Sequence, residues 1–341
     1  MRRYPVHMNN DHQSIQSSIA GVISEARTVV ITTHVNPDGD AIGSALGLWH
    51  WICSKGAEAQ VVLPNAAPEN LRWLPGASSM ITYGPAGIEW LERADVVVVL
   101  DLNTLLRLGE LGERIAASSA RIVNIDHHTH PQAFAEIALI DTDACSTCSM
   151  IAELIIASDG PEALTPNMSM CLYTGIMTDT GSFRFPRTNA NVFRLVAALL
   201  ERGADPVKCY DEVMNQSSFG RTRLLGAALA SLQLHASGSV CTMTVRRSDL
   251  IDTKCSVDDV EGFVHHTLSI AGVMLGILFV EVDGEAKCSF RSKGDTFVRD
   301  LAATWGGGGH VYAAGARIRH RPFQEVVDEV TAAAISIIPI E

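Results

Sequence analysis

The chain has 341 residues, with 26 Lys and Arg against 38 Asp and Glu, for a formal net charge of −12. Hydrophobic residues make up 47% and charged residues 19%, which is enough apolar material for folded cores and excludes a disordered chain. The acidic balance excludes a broad basic face for gripping long duplex DNA, but leaves open short nucleotides held by a few local cations or by metal.

At roughly 100–200 residues per domain, the length predicts two domains. The opening MRRYPVHMNNDHQ has two arginines but no apolar run behind them, so no signal peptide is expected. Residues 14–26 carry a helical pattern and Thr28–Thr33 a β-branched strand pattern, followed by a helix over Ala41–Ser54. Ala59–Leu63, Val96–Leu100 and Arg121–Ile125 read as further strands. Val96–Leu100 is far short of the roughly 20 apolar residues of a membrane helix. Short apolar strands separated by helices predict an α/β fold with a doubly wound, mostly parallel sheet covered on both faces. Sites in such sheets lie beyond the carboxyl ends of the strands.

Helices are expected over 145–157, 168–177, 189–202 and 220–235, with connector helices in the stretch 203–236. Val240–Val245, Gly276–Val282 and Glu285–Arg291 then read as strands, with Asp283-Gly284 as a hairpin turn, and residues 299–304 and 323–337 as helices. The expected division is therefore 1–202, a connector over 203–236, and a smaller mixed α/β domain over 237–341. The 8 cysteines suggest reduced thiols in a soluble cytoplasmic protein. Cys145-Ser-Thr-Cys148 is a lone pair that reads as helix packing rather than a zinc or redox site.

Four segments carry metal-binding residue types. They are His34-Val-Asn-Pro-Asp38-Gly-Asp40, Asp101 at the end of VVVVL, Asp126-His127-His128 after RIVNI, and Thr178-Asp179-Thr180-Gly181 at a helix end. Three of them directly follow a predicted strand. Taken singly, each has an ordinary reading as a helix cap, a turn or a core histidine. Together, carboxylates with one or two imidazoles suit a divalent ion such as Mn²⁺. Five carboxylates around one pocket call for about two divalent ions, a centre able to activate water and clamp a phosphoryl oxygen.

HVNPDGDAIGSALGL, Asp101, DHH at 126–128 and TDTGSF at 178–183 together resemble the DHH phosphoesterase superfamily. The segment from Phe290-Arg291 to Gly306-Gly-Gly-Gly-His310 and Ala313-Ala-Gly315 resembles the associated substrate-binding domain. The two-domain chain is most similar to the oligoribonuclease, or nanoRNase, branch, whose members double as phosphatases of adenosine 3′,5′-bisphosphate. The resemblance implies that His34 and Asp38 hold one metal, that Asp40, His127 and Asp179 hold the other, and that Asp101 bridges them. It implies further that Asp126 orients His127 and that His128 faces the scissile phosphate as charge stabiliser or proton donor.

Glycine lets a backbone approach a ligand closely, and the N–H groups of a glycine turn suit phosphate oxygens. By the resemblance, Gly307, Gly308, Gly309 and His310 contact substrate phosphate or sugar, with Arg291 as a nearby cation. Arg184 is a second candidate phosphate clamp. Phe183 and Phe185 read as core, with base stacking as the alternative.

The expected activity is metal-dependent hydrolysis of short oligoribonucleotides, linear dinucleotides or nucleoside bisphosphates in a cleft between the domains, with no role for long duplex DNA or membrane. The resemblance is compatible with a homodimer. Alternatives are a RecJ-like single-strand exonuclease, an inorganic pyrophosphatase and a non-catalytic nucleotide-binding regulator. The first would be longer and more basic, the second would lack the glycine segment, and the third has no need of a complete ligand set.

Overall fold

The computed structural model describes residues 10–338, in two units that divide between Gln216 and Ser217. The reading of the first nine residues lies outside the described residues. The first unit opens with α1 (Asn10–Glu25), β1 (Thr28–Thr33), α2 (Gly39–Ser54), β2 (Glu58–Leu63), β3 (Ile81–Thr82), α3 (Pro85–Glu92) and β4 (Val96–Leu100). It continues with α4 (Glu110–Ala116), β5 (Arg121–Asp126), β6 (Ile137–Ile140), α5 (Thr147–Asp159), α6 (Pro166–Asp179), α7 (Ala190–Glu201) and α8 (Pro206–Met214).

The six strands form one sheet in the order β3-β2-β1-β4-β5-β6, and every pairing is parallel. Such a sheet needs cover on both faces, and alternate residues of the apolar strands supply two cores. Val29, Ile31, Val96, Val98 and Leu100 pack with Ile42, Leu46, Ile151 and Ile176 of α2, α5 and α6. Val30, Val62, Val97 and Val99 pack instead with Leu111 and Ile115 of α4. The strand order reverses direction between β1 and β4, which opens a crevice beyond their carboxyl ends. His34 follows β1 and Asp101 follows β4, so both stand at that crevice.

α2 packs most closely on α6 because its facing positions are Gly39, Gly43 and Gly47. A Cβ on Gly43 would lie 2.5 Å from the Cys171 carbonyl oxygen and 3.0 Å from Cys148 Sγ, atoms of two neighbouring helices. Gly43→Ala is therefore expected to destabilise the protein by about 1–3 kcal/mol. A lower urea midpoint at unchanged slope checks this, and an unchanged midpoint refutes it.

The second unit comprises α9 (Phe219–Ala230), β7 (Gln233–His235), β8 (Val240–Val245), α10 (Arg247–Thr253), α11 (His265–Leu268), β9 (Leu275–Val282) and β10 (Glu285–Ser292). It ends with α12 (Arg299–Ala303), β11 (Gly308–His310), β12 (Ala313–Arg319) and α13 (Phe323–Ser336). Its mixed sheet has the order β11-β12-β10-β9-β8-β7, in which only β8 and β9 run parallel. The helix expected over 220–235 stops at Ala230, since Gln233–His235 pairs with β8 as a strand. Of the stretch expected as connector, α8 lies in the first unit and α9 and β7 in the second.

The glycine run is not simply the turn expected from its composition. Gly308, Gly309 and His310 form the edge strand β11, paired with Gly315, Ala314 and Ala313. A Cβ on Gly307 or Gly309 would drive into the backbone of β12, so part of the requirement for glycine is close strand packing. No helix among the described residues is long and apolar enough to cross a membrane. All eight cysteines are free, and Cys145 and Cys148 are buried.

Candidate metal centre and active site

The carboxyl ends of three strands supply most of the polar groups. His34 bonds through Nδ1 to the Val35 carbonyl at 2.8 Å. A carbonyl only accepts, so Nδ1 carries the hydrogen and Nε2 is turned inward, 3.4 Å from Asp101 Oδ2. Asp38 caps α2, with Oδ1 accepting from the N–H groups of Asp40 and Ala41 at 3.0 and 3.1 Å. The ordinary capping role and a place in the cluster thus coexist, because one carboxylate has two oxygens.

Asp40 stands in the first turn of α2 and is buried. Its two oxygens accept from the N–H groups of Thr147 and Cys148, at 2.6 and 2.8 Å, so the amino end of α5 faces this carboxylate. Asp101 has a left-handed backbone, φ 59°, rare for a residue with a side chain and typical of functional sites. That turn puts Oδ2 toward His34 and Oδ1 within 3.4 Å of His127 Nε2, while Thr147 Oγ1 donates to the same Oδ1 at 3.1 Å. Asp179, the last residue of α6, brings Oδ2 to 3.5 Å from His127 Nε2.

Ligand atoms of His34, Asp38 and Asp101 lie within 4.8 Å of one another, as do those of Asp40, His127 and Asp179, and of Asp101, His127 and His128. All the residues expected as metal ligands are therefore brought together. One expected role needs correction: Asp126 serves His128, not His127, through a 2.7 Å bond from Nδ1 to Asp126 Oδ1. β5 ends at Asp126, and in the irregular segment beyond it His127 turns Nε2 toward Asp101 and Asp179, which leaves the Asp126 carboxylate to His128.

The electrostatics fit a site for a cation. Burial, reinforced by Asp101 and Asp179, pushes Asp40 well above the usual carboxylate range. Burial also raises Asp179 to about 6, with Asp101 and Asp38 adding to it. Asp101 moves down: burial opposes its ionisation, but the bonds from His127 and His34 outweigh burial. His127 is raised to about 9, the Asp101 bond and the Asp40, Asp101 and Asp179 charges overcoming its burial. The second oxygen of Asp126 is buried without a partner. A set of carboxylate and imidazole donors in this state suits a divalent metal ion.

Arg184 is exposed and donates from Nε to the Gly181 carbonyl at 2.6 Å. Phe183 packs against Tyr173 and Phe193, with ring centroids 5.8 and 5.9 Å apart, while Phe185 is exposed. Within the second unit, Arg291 is half-buried on β10 and bonds the Phe290 carbonyl at 2.9 Å, and His310 is exposed on β11.

Three residues of the site were not evident in the sequence. Thr147 braces Asp101, Arg187 Nη1 lies 3.4 Å from His127 Nδ1, and Arg107 Nη1 lies 3.5 Å from His128 Nε2. Only Thr147 left a sequence signal, in the Ser146-Thr147 start of a helix.

Comparison with known proteins agrees with this layout. Residues 28–176 match the description "DHH family, N-terminal domain", and residues 237–338 match the DHHA1 domain. The "Bifunctional oligoribonuclease and PAP phosphatase NrnA" of Thermus thermophilus is 31% identical, over 89% of this chain and 88% of its own length. The Bacillus subtilis protein of the same name is 26% identical over 89% of this chain and 93% of its own. The solved structure of an exopolyphosphatase-related protein from Bacteroides fragilis superposes with a TM-score of 0.87 at 32% identity, covering 95% of this chain and 96% of that one.

Proposed function

The chain belongs to the DHH family, and on that premise we propose that it is a phosphoesterase of short nucleotides. It hydrolyses oligoribonucleotides of a few residues and linear dinucleotides to nucleoside monophosphates, and converts adenosine 3′,5′-bisphosphate to AMP. The observation that carries this reading is the position of Asp101, whose two oxygens face His34 on one side and His127 on the other. The names of the relatives supply the substrate class.

In this proposal two divalent ions, Mn²⁺ by preference, occupy the centre in a cytoplasmic enzyme. His34, Asp38 and Asp101 hold one, while Asp40, Asp101, His127 and Asp179 hold the other. When bound, they activate water and neutralise charge on the phosphoryl group. The protein's own groups do the rest. The α5 amino end fixes Asp40, Thr147 fixes one oxygen of Asp101, and Asp126 accepts from His128 Nδ1 and supports the doubly protonated ring, which can then pass its Nε2 proton to the leaving oxygen and end as the neutral Nδ1–H form. In the second unit, His310, Arg291 and the backbone of Gly307, Gly308 and Gly309 bind a substrate phosphate or sugar, and Arg184 is a candidate clamp in the first.

The test is a substrate panel: RNA of two to ten residues, pApA, cyclic di-AMP, adenosine bisphosphate and pyrophosphate, each with Mn²⁺ and with Mg²⁺. Mononucleotide release from the dinucleotide and the shortest RNAs is expected. Release only from the longest RNAs of the panel favours the RecJ-like alternative, and cleavage of pyrophosphate alone favours the pyrophosphatase. Absence of any product overturns the reading. His310→Ala is expected to lower cleavage about 10²-fold with metal content unchanged; loss of metal would show a different role for His310.

A further inference from the structure

We propose that Arg107 grips the scissile phosphate, an assignment that rests on the function proposed above and adds a residue to it. The segment after Asp101 is tied on both sides. The Arg107 carbonyl accepts from Val35 N–H at 2.9 Å, in the loop that carries His34 and Asp38. Asn103 donates from Nδ2 to the Thr129 carbonyl at 2.8 Å, and Thr104 Oγ1 donates to Gln132 Oε1 at 2.7 Å, in the loop that follows His128. Arg107 thus hangs from a braced turn between the two loops that hold the imidazoles.

Arg107 is half-buried, and among the described residues the one hydrogen-bond approach of its guanidinium is that of Nη1 to His128 Nε2 at 3.5 Å. Among the described residues no carboxylate pairs with it, whereas Arg93, Arg121, Arg317, Arg319 and Arg321 each have a glutamate. A partly desolvated guanidinium with unused donors suits an anion with several oxygens.

Charge points the same way. Asp38, Asp40, Asp101, Asp126 and Asp179 outnumber the four positive charges of two divalent ions, so an incoming phosphate needs a further cation. Arg107 provides one at the nitrogen from which His128 serves the leaving oxygen. Arg184 spends its Nε on a backbone carbonyl in an exposed position. The probe ligand is AMP, which carries the phosphate and the nucleoside of a product.

The experiment compares wild type, Arg107→Lys and Arg107→Ala by three readouts: Mn²⁺ binding, AMP binding to the Mn²⁺-loaded protein, and dinucleotide cleavage. Expected for Arg107→Ala are unchanged Mn²⁺ binding, AMP affinity reduced about tenfold or more, and kcat/KM reduced about 10²–10³-fold. Added guanidinium ion should restore part of the activity of Arg107→Ala and none to wild type, and Arg107→Lys should fall between. A structural role alone would give no such rescue. Wild-type AMP affinity and turnover in Arg107→Ala overturn the proposal, as does loss of metal with the loss of activity. If wild type binds AMP but cleaves nothing, the function proposed above fails while the binding comparison still decides the role of Arg107.

Discussion

Replacing Asp101 with Asn is expected to lower kcat/KM for a dinucleotide by about 10³-fold and to reduce the metal content of the purified protein. Asn isolates the charge from everything else. It matches Asp in shape, and it is one of the few side chains that tolerates the left-handed backbone, φ 59°, found here. Asp101 faces both imidazoles, so losing its charge weakens both ligand groups at once, whereas Asp38→Asn affects one. Asp101→Ala should lose the same activity and, in addition, about 1 kcal/mol of stability, since Ala is strained at this φ. Metal analysis and urea melts of the two variants separate the effects. Full metal content and near-normal turnover in Asp101→Asn would rule out a bridging role for this residue.

Metal loading is expected to expel protons, and its affinity to climb with pH. In the metal-free protein His127 is held to about 9, so at neutral pH its ring is protonated on both nitrogens and cannot ligate. Between pH 6.5 and 8.5 the apparent Mn²⁺ affinity should therefore rise about tenfold per unit, the linkage for one proton. Below about 6, Asp179 adds a second proton to the competition. Calorimetry in buffers of different ionisation heat would count the protons released, and a count of zero at pH 7 would exclude this coupling.

Stability without metal runs the opposite way. His127, Asp40 and Asp179 all have folded-state pKa values above their ordinary ones, so each binds protons more tightly in the folded chain. Their protonated forms favour folding. For Asp179 that advantage shrinks as pH rises from the ordinary carboxylate range through about 6, and for His127 from about 6.5 through about 9. Thermal melts in chelator should decline over those windows, while melts with Mn²⁺ should not.

The sequence is most legible where one segment settles its own structure. TVVITT and VVVVL are too apolar and β-branched to be anything but covered strands, and each is followed at once by a residue of the candidate site. β6 was hidden because IALI is only four residues long, and β12 because AAGARIR carries little β-branched character; neighbouring strands, rather than local preference, make them strands. α4 is short and interrupted by Gly112, and its helical form depends on Leu111 and Ile115 reaching the core. The residues proposed as metal ligands were legible because each lies in a segment rich in such residue types. Arg107 and Arg187 were not, since their approach to the histidines arises only when separate loops are brought together. The partner of Asp126 was misread because a motif written in a line does not show which side each residue faces.

The glycine stripe of α2 also bears on ion choice. Asp40 rides on α2 and Asp179 on α6, and the separation of these helices is set where Gly39, Gly43 and Gly47 meet α6 with no side chain between. The seam acts as a caliper. A methyl group added there is expected to shift the two helices, so in the centre proposed above the spacing of two carboxylates would depend on hydrogen atoms that touch neither of them.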